Sequence, residues 1–97
     1  MVICLSHLGY EYSFPKVSDL IVAKETEHID LILGGHTHTF LDEPTLVTNK
    51  SGKVVVINQV GWAGLRLGRL DFYFDSKKSS NLSSAQSVII GKQTSGW

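Results

Sequence analysis

Two short apolar runs, separated by a stretch of helical length, constrain the fold of this chain more than any other feature. The first covers residues 1–6, and the second covers residues 29–33 and is broken by Gly34 and Gly35. Between them, apolar residues recur at helical spacing over residues 17–28. A strand, a helix and a strand in this order form a βαβ unit, whose two strands pair in parallel. The sequence therefore predicts an α/β fold, with its first strand buried on both faces.

The second half of the chain predicts antiparallel strands. Residues 45–48 and 53–57 flank a turn-type segment and are typical of a β-hairpin. Residues 70–75 alternate apolar and polar side chains, which indicates a strand with one face in water. The Ser-rich residues 76–86 predict a linker, and residues 87–91 a last short strand. The predicted architecture is thus a βαβ unit followed by an antiparallel β-meander.

Length and composition exclude several classes of protein. A chain of 97 residues holds one domain at most, and its core is thin because short chains bury a smaller share of their surface. Nine basic and nine acidic residues give a net charge of zero, so we expect no nucleic-acid partner and no membrane partner. The single cysteine, Cys4, excludes an intrachain disulfide. The apolar run at the very start of the chain leads us to expect a fragment.

Three of the four histidines follow the two predicted parallel strands directly. His7 comes after the first strand, and His36 and His38 come after the second. Sites gather at the carboxyl edge of parallel sheets, and residues two apart in an extended segment leave the same face. The three imidazoles are therefore candidate ligands for one or two divalent ions such as Zn or Mn. The alternative is that each of these histidines is an ordinary loop residue that makes hydrogen bonds. We interpret the fourth histidine, His28, as a residue at the C-terminal end of the predicted helix.

Other polar residues have two interpretations. Asn58 and Gln59 end the second strand of the hairpin, where they either touch a substrate or satisfy backbone groups. Asp19 follows a cap-type serine, and helical spacing assigns it to the solvent side of the helix. Asp42 and Glu43 stand beside a proline and are interpreted as loop residues.

The histidine segments resemble the calcineurin-like metallophosphoesterases, and within them the 5′-nucleotidase branch. The resemblance rests on Ser-His-Leu-Gly at residues 6–9 and on Ile-Asp-Leu-Ile-Leu-Gly-Gly-His-Thr-His-Thr-Phe-Leu at residues 29–41, and it extends over residues 2–75. It implies half of a four-layer sandwich. Residues 1–75 would form the C-terminal part of the catalytic domain, and residues 76–97 a Ser-rich linker with a short terminal segment.

The resemblance also implies a two-metal phosphoesterase acting on nucleotides or other phosphate esters. By position, His7 and His36 match ligands of one ion and His38 a ligand of the other, with Mn, Zn or a similar divalent metal. The family's Asp-x-His, Gly-Asp and Gly-Asn-His motifs do not occur in this sequence. We therefore assign no catalytic residue and expect this chain alone to be inactive.

Three further expectations complete the analysis. A half-domain leaves a sheet face and a strand edge uncovered, which predicts a homo-oligomer. The family resemblance favours a periplasmic or cell-surface location. Two alternatives to an enzyme part remain open, namely a non-catalytic interaction module and a simple metal-binding domain that uses His7, His36 and His38.

Overall fold

Four strands form a mixed sheet, and two more form a separate ribbon. The computed structural model describes residues 1–77 and 80–91. In chain order the elements are β1 (Ile3–Leu5), α1 (Asp19–Glu25), β2 (Leu31–Leu33), β3 (Thr45–Thr48), β4 (Val54–Asn58), β5 (Arg66–Phe74) and β6 (Ser80–Ile89). The strand order in the sheet is β1-β2-β4-β3, and β5 pairs with β6. The α/β class, with parallel strands followed by antiparallel ones, is confirmed.

The βαβ unit forms as predicted. β1 and β2 are parallel with Ile3 opposite Leu31, and β4 adds to β2 in parallel while it forms the predicted hairpin with β3. The pairing continues past the strand ends, because the Ser6 N–H donates to the Leu33 carbonyl at 2.9 Å. The Gly34 N–H likewise donates to the Asn58 carbonyl at 2.9 Å. Three chain segments therefore leave the sheet side by side at one edge.

Helix α1 is shorter than the predicted 17–28. It begins after Ser18, whose hydroxyl accepts from the Ile21 N–H at 3.4 Å and caps the first turn. It ends at Thr26, which has extended backbone angles and whose hydroxyl donates to the Val22 carbonyl at 2.7 Å. That side-chain bond occupies a carbonyl that the ending helix would otherwise leave without a partner. No helix in the part of the chain that the structure describes is long and apolar enough to cross a lipid bilayer.

The core lies between α1 and one face of the sheet. Its buried members are aliphatic and come from the helix and from three neighbouring strands: Ala23, Ile32, Val47, Val55 and Ile57. Strand alternation explains this set, because residues two apart on β4 point to the same face. The opposite face carries Leu31 and Val56, which alternate with the core residues along β2 and β4.

The expectation that the first strand is buried on both faces is wrong. Ile3 is 53% exposed and Leu5 is 80% exposed, because the described elements leave this face of the edge strand β1 uncovered. The face away from α1 is covered only in part. On that face β5 passes close to the end of β4, because a Cβ atom added at Gly68 would lie 2.8 Å from the side-chain nitrogen Nδ2 of Asn58. Ile3 and Leu5 lie outside this cover.

The predicted linker at residues 76–86 is largely a strand. β5 and β6 pair antiparallel from Arg66 opposite Ile89 to Phe74 opposite Ser80, with an irregularity after Asp71. Serines suit this strand because Ser84 donates to the Asp71 carboxylate at 2.8 Å, and the ribbon keeps polar side chains in water. The predicted division of the chain at residue 75 stays a prediction, and residues 78–79 and 92–97 of the terminal segment lie outside the described residues.

Candidate metal centre

His7 and His36 meet at the carboxyl edge of the sheet. His7 follows β1 and His36 follows β2, and these strands are parallel neighbours. The Nε2 atom of His7 lies 3.3 Å from the Nδ1 atom of His36, and the ring centroids are 5.0 Å apart at 63°. Both side chains are exposed. The pairing of β1 with β2 therefore brings together two histidines that are distant in the sequence.

The separation of these two nitrogens fits a shared cation. Two imidazole nitrogens bound at 2.0–2.1 Å to one tetrahedral ion lie about 3.3–3.4 Å apart. The observed 3.3 Å matches this value, and the exposure of His7 and His36 leaves an ion free to approach. The donor set also suits Zn, Mn and similar divalent metals, which imidazole binds readily.

The structure does not place His38 with this pair. Its ring stacks on Trp62, with centroids 5.5 Å apart and an interplanar angle of 11°. Among residues 1–77 and 80–91, no group of three or more histidine, cysteine or acidic side chains is close enough to hold one ion. Two of the three candidate ligands are therefore brought together, and the role of His38 as a ligand stays a prediction.

The segment that carries His36 and His38 is turned, so the condition under which both side chains would leave the same face is not met. His36 has φ 74° and His38 has φ 52°, in the left-handed region that non-glycine residues rarely adopt. The Thr37 N–H donates to the Gly35 carbonyl at 3.0 Å, which closes a three-residue turn around His36. The two histidines therefore do not leave the same face of an extended strand.

Gln59 contacts both ends of this turned segment. Its side chain is 2% exposed, and its Oε1 atom accepts from the Thr39 N–H at 2.6 Å. Its Nε2 atom donates to the Gly35 carbonyl at 3.3 Å. Of the two interpretations offered for Gln59, the structure supports the satisfaction of backbone groups. The position of Gln59 directly after a buried strand indicated that its side chain would bond to backbone groups. The partners themselves could not be predicted, because they lie on a distant segment of the chain.

Thr37 and Thr39 join the same network. The Thr37 hydroxyl accepts from the Tyr10 N–H at 3.0 Å and lies 2.8 Å from the Thr39 hydroxyl. A weaker bond of 3.4 Å reaches Gln59 Oε1. These bonds tie the segment between β2 and β3 to the loop that follows His7. The threonines thus order the backbone around the histidines.

Asp19 is the buried carboxylate beneath the site, and the expectation that it faces solvent is wrong. Asp19 is fully buried, and its Oδ1 atom accepts from the Ser6 hydroxyl at 2.5 Å. Its Oδ2 atom has no hydrogen-bond partner among the residues that the structure describes. Burial raises the pKa of Asp19, and the bond from Ser6 opposes this rise. Its N–H donates to the Gly9 carbonyl at 2.8 Å, which turns the helix start inward. A Ser-Asp pair at an exposed helix start would look the same in sequence.

The chain is similar in sequence to known nucleotide-hydrolysing enzymes. No family model matches the chain. The trifunctional nucleotide phosphoesterase protein YfkN of Bacillus subtilis is 41% identical over 76 residues, which cover 78% of this chain and 5% of that protein. The snake venom 5′-nucleotidase of Crotalus adamanteus is 28% identical over 107 residues, which cover 97% of this chain and 17% of that enzyme.

A solved structure agrees with these relatives. The crystal structure of a 5′-nucleotidase precursor from Thermus thermophilus matches with a TM-score of 0.68 and 28% identity, over 74% of this chain and 17% of that one. The chain thus spans 17% or less of the length of each of these three proteins. Sequence and fold agree with the resemblance carried by the histidine segments. The chain belongs, as a part, to the 5′-nucleotidase branch of the calcineurin-like metallophosphoesterases.

Proposed function

We propose that this chain is the C-terminal part of the catalytic domain of a two-metal phosphoesterase, and that it carries half of the metal centre. His7 and His36 bind one divalent ion and His38 contributes to the second. The observation that carries the proposal is the 3.3 Å separation of the facing nitrogens of His7 and His36. The relatives' names support a nucleotide, or another phosphate ester, as the substrate of the whole protein.

The proposed role of this chain's residues is to hold the metal ions and to orient their ligands, while the ions supply the chemistry. When bound, such ions neutralise phosphate charge and generate a hydroxide at neutral pH. His7 and His36 present their nitrogens to solvent at the open edge of the sheet, where a phosphate ester can approach. Trp62 stacks on the His38 ring and limits its rotation. The chain alone is inactive, because its sequence lacks the Asp-x-His, Gly-Asp and Gly-Asn-His motifs, which the family resemblance implies would supply further metal ligands and the histidine that assists catalysis.

Calorimetric titration of the 97-residue chain with Zn²⁺ and with Mn²⁺ tests the metal site. We expect one ion bound by the wild-type chain and at least a tenfold weaker Kd in His7→Ala and in His36→Ala, since each variant leaves one imidazole of the pair. His28→Ala removes an exposed histidine far from the site and is the matched control. Equal affinity in His36→Ala and His28→Ala would contradict the proposed site.

A phosphatase assay tests the proposed inactivity. With p-nitrophenyl phosphate and Mn²⁺, we expect no turnover above the buffer rate by the chain alone. Turnover that His36→Ala abolishes would show that the chain carries a sufficient active site, and the half-site proposal would then be wrong. This result would also exclude the simple metal-binding domain.

A homo-oligomer is the second proposal, and it rests on the uncovered part of the sheet. Ile3, Leu5 and Leu33 share one face, because Ile3 lies opposite Leu31 and Leu5 opposite Leu33, and all three exposed side chains are large and apolar. β1 also has a free edge within the described residues. We propose that a second copy covers this surface.

Light scattering coupled to size-exclusion chromatography measures the oligomeric state. We expect a dimer or larger assembly for the wild-type chain and a monomer for Leu5→Lys, with Lys50→Leu as a control on the exposed β3–β4 turn. A monomeric wild-type chain would exclude the homo-oligomer. Assembly of a chain that binds no metal would instead support the alternative of a non-catalytic interaction module.

For location we propose the periplasm or cell surface of the whole protein. One relative is named as a venom enzyme, which is a secreted setting. Fractionation of cells that express the full-length protein would test this, and recovery in the cytoplasm would contradict it.

A further inference from the structure

We propose that Gln59 is a positioning residue, which keeps the Nδ1 atom of His36 directed towards His7. This inference rests on the proposed metal site, since it concerns the orientation of one of its two ligands. Gln59 itself touches neither imidazole. It acts through the backbone of residues 35–39, which carry His36 and His38.

The anchor itself is fixed. Gln59 directly follows β4, and its own carbonyl accepts from the Leu41 N–H at 3.2 Å. The neighbouring Asn58 carbonyl accepts from Gly34, so β4 and the start of the histidine segment are already joined. A side chain that is 2% exposed and leaves such a backbone has few rotamers to choose from. Its amide is therefore a rigid reference point for the segment.

The segment needs such an anchor because it is strained. Both His36 and His38 have positive φ, and the turn around His36 is closed by a bond from the Thr37 N–H to the Gly35 carbonyl. Backbone in this region persists only where the surroundings hold it. Gln59 binds Gly35 before the turn and Thr39 after it, so its two bonds bracket both strained residues. Without them the segment is free to relax towards extended backbone, which would rotate His36 away from His7.

The main alternative is that Gln59 only fills space and satisfies buried groups. A structural role of that kind would change the stability of the chain without changing the relation of the two rings. The test therefore needs a direct report on His36. The facing nitrogens, 3.3 Å apart, put ring protons of His7 and His36 within range of a nuclear Overhauser effect. This signal requires no metal.

The experiment compares four chains by NMR and by Co²⁺ titration. Gln59→Met keeps the length of the side chain and removes both hydrogen bonds, while Gln59→Glu keeps the acceptor for the Thr39 N–H. Gln86→Met changes an exposed glutamine on β6 and is the matched control. In Gln59→Met we expect the His7–His36 Overhauser effect to disappear, the Thr39 amide to exchange about tenfold faster, and Co²⁺ to bind about tenfold more weakly with an altered visible spectrum. Gln59→Glu should restore the Overhauser effect, and Gln86→Met should match the wild-type chain.

Each outcome decides the inference. A folded Gln59→Met that keeps the Overhauser effect and binds Co²⁺ within twofold of wild type overturns it. If Gln59→Met does not fold, Gln59→Asn gives the same decision, because it keeps the amide and is too short to reach Thr39. A third result separates the two proposals. If the wild-type chain binds no Co²⁺ but Gln59→Met loses the His7–His36 Overhauser effect, the positioning role stands and the proposed metal function fails.

Discussion

Replacement of Gly34 by alanine tests how tightly Asp19 is packed beneath the candidate site. A Cβ atom built at Gly34 would overlap the Asp19 Oδ2 atom and would lie 3.3 Å from the Gln59 amide nitrogen. Gly34 does not have positive φ, so the added methyl group meets a steric obstacle and no backbone penalty. The obstacle is a buried carboxylate on a helix.

The expected cost follows from what must move. The Asp19 carboxylate would have to shift by roughly 1 Å to reach ordinary contact distance. Overpacking of this kind costs about 1–3 kcal/mol. If the shift also breaks the 2.5 Å bond from Ser6, a hydrogen bond to a charged group worth about 1.5–3 kcal/mol is lost. We therefore expect Gly34→Ala to lower the free energy of unfolding by at least about 1 kcal/mol, and by about 2.5 kcal/mol or more if the bond from Ser6 breaks.

Urea unfolding followed by circular dichroism measures this loss, and the adjacent glycine supplies the control. A Cβ atom at Gly35 would lie 3.5 Å from the His7 Nδ1 atom and 3.7 Å from the Ser6 carbonyl, which are ordinary contacts. Gly35→Ala should therefore change the free energy of unfolding by less than about 1 kcal/mol.

A double-mutant cycle identifies the obstacle. In an Asp19→Ala background the carboxylate is gone, so Gly34→Ala should cost at least about 1 kcal/mol less than in the wild-type chain. Equal costs for Gly34→Ala and Gly35→Ala, or a cost of Gly34→Ala that does not depend on Asp19, would refute the packing argument.

Three further predictions concern stability and use the same unfolding assay. The raised pKa of Asp19 means that the folded state binds more protons, so its contribution to stability falls as pH rises from 3.8 through the raised pKa. Asp19→Asn should flatten this decline, and an unchanged pH profile would contradict it. Ser18→Ala removes the helix cap and should cost about 1 kcal/mol, against no effect for the exposed Ser13→Ala. Ile57→Ala should cost about 2–5 kcal/mol, and a loss below 1 kcal/mol would contradict its central place in the core.

Local patterns were enough to predict the parallel unit and the meeting of two histidines. The apolar runs before His7 and before Gly34 predicted the two strands correctly, although Ile3 and Leu5 of the first strand are exposed. Once two strands are parallel neighbours, the residues that follow them must meet at one edge. The proximity of His7 and His36 needed no further information.

The details of the site depend on contacts between distant segments and were therefore out of reach. The bonds that join the segment around His36 to Gln59 come from the residue that directly follows β4, so no local pattern marks this turn. Asp19 carries the pattern of an exposed helix start, but its N–H bonds to Gly9 and draws it inward. The part of β6 that falls within residues 80–86 was missed because serine-rich composition indicates polarity, and a two-stranded ribbon tolerates polar residues on its faces.

The strand order of the sheet has a consequence for how the chain acquires its structure. β3 and β4 are joined by a short turn, and β5 and β6 follow one another directly in chain order, so these hairpins close within microseconds of collapse. Pairing of β1 with β2 must instead bring Ile3 to Leu31 across a long intervening segment that contains α1, and the entropy of this segment is lost before any pairing compensates for it. We expect β1 to join last and to exchange its amides fastest. The two histidines would then come within reach of each other only in the final step of folding.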